Sequence, residues 1–102
     1  MGQHAPTIVT GSTDVKRLEA LINQLPGNAR VSVACRDGKQ YSGIVCIRPT
    51  IQAFREQKGG KEGLNGVLRL EDAAAPGGEH RIWLDRIDHV QRLDGISGTF
   101  AS

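Results

Sequence analysis

Four cations, Arg48, Arg55, Lys58 and Lys61, lie in or just before a polar, glycine-rich stretch, Gln57-Lys58-Gly59-Gly60-Lys61-Glu62-Gly63. Flexible cations beside glycines can follow a phosphate backbone, and each contact adds salt-dependent affinity. Arg36 and Lys39 flank Asp37-Gly38 and extend the same basic region. Glu56 and Glu62 are interspersed, so a plain solvated loop is the competing reading. Tyr41 and Phe54 are candidates to stack on bases, with core packing as the alternative for each. Trp83 alternates with Ile82 and Leu84. If those two face the core, Trp83 faces outward or into a subunit interface, a setting that suits its large apolar ring and polar N–H. Partial cover by an N-terminal helix is the other reading.

The charge is uneven along the chain. Residues 1–29 are neutral, residues 30–61 carry seven cations against two anions, and residues 62–94 carry four against seven. The net charge of +2 therefore conceals a basic half and an acidic half. The basic half is suited to attracting phosphate. The two halves together are equally suited to meeting across a self-association interface.

Other chemistries find no support. His4, His80 and His89 are scattered, and His89 follows Asp85 and Asp88 at no spacing recognised for metal ligation or acid–base work. Ser12, Ser32, Ser42 and Ser97 lack a nucleophile-elbow context. The Gly59–Gly63 stretch has the wrong spacing for a phosphate-cradling loop, and no helix pattern follows it. The sequence thus implies no catalytic residue, no metal site and no cofactor. Cys35 and Cys46 fall roughly 13–20 Å apart at strand rise once the Asp37-Gly38 turn is placed. A disulfide needs Cα atoms within about 7 Å, so two reduced thiols are expected.

With 102 residues and 24% charged residues the chain reads as one globular domain. No apolar run approaches the ~20 residues of a membrane span. Met1–Pro6 lacks the pattern of a secretory signal, and Pro6 breaks the myristoylation pattern. A cytoplasmic protein with no membrane association is expected.

Residues 1–11 read as a flexible N-terminal arm. Ser12, Thr13 and Asp14 are good N-caps. Val15, Leu18, Leu21, Ile22 and Leu25 then form one apolar helical stripe, which Pro26-Gly27 ends. Such a helix cannot stand alone, and it is expected to lie across one end of the barrel. Arg30–Cys35 and Gln40 to about Arg48 read as strands around the Asp37-Gly38 turn. Gly43 inside the second strand marks a bend, a bulge or a close backbone approach. Pro49 ends the regular pairing, and Ile51 and Phe54 are expected to continue it irregularly. Further strands are expected at 67–71, 81–84 and 88–93, with a small polar tail over 95–102. The fold class is α+β, an N-terminal helix followed by a small, strongly bent five-stranded antiparallel barrel.

Val31, Val33, Asp37, Gly38, Tyr41, Gly43 and Val45 resemble the first motif of the Sm-like family, the group of Sm, Lsm and Hfq proteins. Asn65–Asp72 is similar to that family's asparagine-led third strand. Ile82–Val90 lies where its second motif would be, with Ile87 and Val90 as core candidates. The chain looks like a divergent bacterial-type member, with its domain over 12–94 and an inserted loop near 52–64. It also departs from the pattern. Pro49 stands where RNA-binding members commonly place an aspartate, and Ala53 where they place an asparagine, leaving Asn65 the nearest candidate. The Arg-Gly pair of the second motif is absent, and the basic histidine-containing motif of Hfq is unmatched. The resemblance implies a non-enzymatic module that binds single-stranded RNA, here through Arg36, Lys39, Arg48, Arg55, Lys58, Lys61 and Asn65. The alternative is a self-associating or protein-interaction scaffold that has lost the nucleotide pocket. Either way a homo-oligomer, dimer or ring, is expected, with Trp83 and Val90 at the interface.

Overall fold

The computed structural model describes residues 3–93. In chain order these form β1 (His4–Ala5), α1 (Ser12–Asn23), β2 (Arg30–Cys35), β3 (Gln40–Val45), β4 (Gln52–Glu56), β5 (Glu62–Asn65), β6 (Val67–Asp72), β7 (Glu79–Trp83), a 3₁₀ turn (Leu84–Arg86) and β8 (Ile87–Arg92). The expected tail over 95–102 lies outside the described residues.

Helix α1 takes in the polar cluster expected to precede it. Gly11 holds the cap position in extended backbone, and its carbonyl accepts from Val15 N at 2.9 Å. Asp14 falls in the first turn, where it favours the helix dipole. Leu18, Leu21 and Ile22 turn one face into the core, and Leu25 follows just past the helix end. Strands β2 and β3 form the expected hairpin, pairing Val33 with Tyr41 and Ala34 with Gln40. Gly38 takes φ 91° at its turn.

Five strands form one antiparallel sheet in the order β7-β6-β3-β2-β8. It curves around Val31, Val33, Val45, Leu68, Leu70 and Leu84, all fully buried against the helix face. Gly43 lies where β3 and β6 leave no room for a side chain. A Cβ there would fall 2.1 Å from the Glu71 carbonyl oxygen. The expected five-stranded barrel does not close: β7 and β8 lie at opposite edges, with no ladder between them among the described residues. A second sheet, in the order β1-β4-β5, takes up the rest.

That second sheet corrects two further expectations. The stretch near 52–64 is not a loop. It is a hairpin, with Gln52 opposite Asn65 and Arg55 opposite Glu62. It continues the pairing of β3 with β6, which places Val45 opposite Leu70. The strands β3, β4, β5 and β6 are thus one long hairpin folded over in its middle. The fold-over comes at residues 46–51 on one side and at Gly66 on the other. Pro49 has no N–H for a ladder. A Cβ on Gly66 would fall 2.5 Å from the Thr50 carbonyl oxygen and 2.7 Å from Leu84 Cδ1. The second strand therefore stops at Val45, and Ile47 is 63% exposed instead of alternating inward.

Residues 3–9, expected to be a loose arm, are tied into this sheet. Strand β1 runs parallel to β4, Arg55 N donates to Gln3 O at 2.9 Å, and Val9 exchanges two backbone hydrogen bonds with Leu64. Ala5 is fully buried. The anchors are backbone groups and small residues, so no hydrophobic periodicity announces them.

Candidate functional site

On the β6–β7 ladder, Leu68, Leu70 and Ile82 point into the core. By strand alternation their neighbours point outward. The register sets Val67 opposite Trp83 and Arg69 opposite Arg81. This outer face is the floor of an open groove of about 690 Å³ between the two sheets. Phe54 of β4 and residues 47–50 of the fold-over form its walls, and His4 of β1 and the preceding Gln3 close part of it.

The groove is aromatic and basic. Phe54 and Trp83 meet edge to face, with centroids 5.2 Å apart and an interplanar angle of 83°. Three arginines, Arg48, Arg69 and Arg81, line it, and no carboxylate does among the described residues. Arg48 Nη2 donates to Asn23 Oδ1 at 2.9 Å, a neutral partner. Arg69 Nε donates to Glu79 Oε2 at 2.5 Å, whereas Arg81 Nε reaches Glu79 Oε1 only at 4.0 Å. The Arg69 hydrogen bond holds the Glu79 carboxyl below its ordinary range, and Glu79 in turn raises the Arg69 guanidinium. Arg69 is held closely by Glu79, Arg81 pairs with the same carboxylate at longer range, and Arg48 has a neutral partner.

The cations expected to act together are dispersed. Arg48 lies in the groove. Arg55 pairs with Glu62 at 2.9 Å and donates to Gly60 O at 3.1 Å. Lys58 and Lys61 are exposed at the tip of the β4–β5 hairpin. Arg36 and Lys39 are exposed at the β2–β3 turn, where Arg36 borders a separate cavity of about 160 Å³ with Arg17 and Asp85.

Asn65 requires a correction. It is fully buried and presents no surface to a nucleotide. Its Nδ2 donates to Thr7 O at 3.0 Å, and its Oδ1 accepts from Gly66 N at 2.8 Å and from Asp85 N at 3.3 Å. The Thr7 hydroxyl donates to Asp85 Oδ2, which closes a ring of contacts among the N-terminal segment, the fold-over and the 3₁₀ turn. Asn65 serves to satisfy buried backbone groups.

Trp83 is covered in part by Phe54. Val90 is half-buried against the core, opposite Val33. Tyr41 lies 4.9 Å from the His80 ring, and His80 Nε2 lies 2.7 Å from Asp72 Oδ2. The Asp72 carboxyl is held low, first by the Ala74 backbone N–H and then by His80. Among the described residues no group of three or more His, Cys, Asp or Glu is placed to hold a metal ion.

Sequence reasoning placed neither Arg69 nor Arg81 in a binding site, because both fall in the acidic half of the chain. The signal was present: each alternates with buried leucine or isoleucine. Only the β6–β7 register shows that they face one another beside Trp83.

A family model described as a domain of unknown function (DUF3247) matches residues 2–93. The chain belongs to the DUF3247 family. No curated protein matches it. The DUF3247 chain is similar to XC5848 from Xanthomonas campestris, whose crystal structure is described as adopting a novel variant of the Sm-like motif. The two share 35% identity with a TM-score of 0.85, over 91% of this chain and 99% of that one. The resemblance carried by Val31–Val45 thus extends to the fold, as a bent-sheet variant of the Sm-like arrangement. No helix among the described residues is long and apolar enough to cross a membrane.

Proposed function

We propose that this protein is a non-enzymatic, cytoplasmic Sm-like module that binds single-stranded RNA. The observation that carries this reading is the groove, where three arginines and no carboxylate surround a tryptophan among the described residues. Phosphates are drawn by the guanidinium groups, and unpaired bases stack on aromatic rings with little regard to sequence. The exposed cations Arg36, Lys39, Lys58 and Lys61 lie outside the groove and add to the positive charge of the surface as a whole. Fluorescence anisotropy with short U-rich and A-rich RNA tests the proposal. Binding tighter than about 10 μM at physiological salt, weakening as salt rises, is expected. No binding even at low salt would leave a module that has kept the fold and lost the ligand.

A second reading, self-association, is favoured by the sheet edges. Strands β7 and β8 each end the ladder without a further strand among the described residues, and such edges call for pairing or protection. Trp83 on β7 and Val90 on β8 are the apolar residues a dimer or ring would draw on. Light scattering at tens of micromolar distinguishes an oligomer from a monomer.

A further inference from the structure

The departures from the family pattern at Pro49, Ala53 and the buried Asn65 leave open where a base would sit. We infer that the groove between the two sheets is a single-nucleotide subsite, in which one unpaired base stacks on Trp83 and its phosphate is held by Arg81 and Arg48. This rests on the RNA reading and gives it a location.

Three observations carry it. The first is size: about 690 Å³ falls within the 300–1,000 Å³ typical of small-molecule sites, room for a nucleotide and far too little for a duplex. The second is charge. Arg69 and Arg81 face each other directly across the ladder, an arrangement of like charges that is unfavourable unless compensated. One carboxylate, Glu79, serves both, closely for Arg69 at 2.5 Å and more distantly for Arg81 at 4.0 Å. Arg48, from the fold-over, has an amide partner in place of a carboxylate. An anion seated between Arg81 and Arg48 gives each guanidinium a closer charged partner than it now has. The third is spacing. Arg81 and Trp83 share the outer face two residues apart, about 7 Å along the strand, a separation the sugar of a nucleotide can bridge. Phe54 packs against Trp83 and fixes the indole in place. Gln52 lines the same groove with an amide able to pair with a base edge.

Trp83 is the single tryptophan of the chain, so its fluorescence reports on the groove alone. Titration of the full chain with uridine and adenosine 5′-monophosphates is expected to quench it saturably. Ribose 5-phosphate, which lacks the base, is expected to quench it far less. Arg81→Ala should weaken the monophosphates about tenfold, as loss of a charge-assisted hydrogen bond does. Trp83→Phe, followed by anisotropy of a labelled RNA, should weaken binding several-fold and guards against any folding defect in the arginine variant. If RNA binds but Trp83 emission is unmoved and Arg81→Ala binds as wild type does, the subsite is overturned and the RNA reading stands. If the monophosphates quench and no RNA binds, the subsite stands and the RNA reading falls. If neither binds, both fall.

Discussion

The long folded hairpin has two halves held by different forces. The inner half, β3 with β6, packs Val45, Leu68 and Leu70 into the main core. The outer half, β4 with β5, buries little beyond Phe54. It is fastened by backbone hydrogen bonds to β1 and by the hydrogen bonds of Asn65. Apolar burial is diffuse and tolerates small losses, whereas a buried amide with several partners fails when one atom is removed. The groove lies at the junction, where the rigid inner ladder supplies the floor and the outer hairpin and N-terminal strand supply the walls.

The difference can be broken from either side. The largest effect is expected in the inner half. Gly43→Ala would place a methyl group 2.1 Å from the Glu71 carbonyl oxygen, at a cost of about 3 kcal/mol or more. Urea unfolding should show the main sheet strongly destabilised, and a variant as stable as wild type would mean that the ladder yields easily. Asn65→Ala acts on the outer half. It strands the Thr7 carbonyl and two backbone N–H groups, at a cost of about 2 kcal/mol. Hydrogen exchange should accelerate at Arg55, Gln57 and Leu64 while Val33 and Val45 stay protected. Uniform acceleration would mean that the two halves unfold as one unit. The smallest effect is expected for Arg55→Ala, which removes an exposed ion pair with Glu62 and should cost less than about 1 kcal/mol.

The same contrast decides how much was legible in the residues. Strand Arg30–Cys35 is found with the expected bounds because its valines alternate cleanly and Asp37-Gly38 fixes the turn. The helix was legible from its leucine stripe. Gly43 signalled a close approach, since no larger residue fits there. The outer half left no such mark. Gln52–Glu56 carries one buried residue, Phe54. Its pairing with β1 rests on backbone atoms, which no side chain advertises. Asn65 looked like a ligand because an amide in a family motif suggests one, but its partners include residues distant in the chain. The groove was half legible. Arg48 and Trp83 were singled out separately, and only the cross-strand register joins them with Arg69 and Arg81.

The central claim is that the groove, and not the hairpin tip, holds the phosphates. The most direct measurement is the salt dependence of RNA binding for two double variants beside wild type. Arg48→Ala with Arg81→Ala should flatten the slope of log K against log salt by about two units, one for each phosphate no longer neutralised. Arg55→Ala with Lys58→Ala should leave that slope nearly unchanged. A flattened slope in the tip variant, with the groove variant at the wild-type value, would contradict the account.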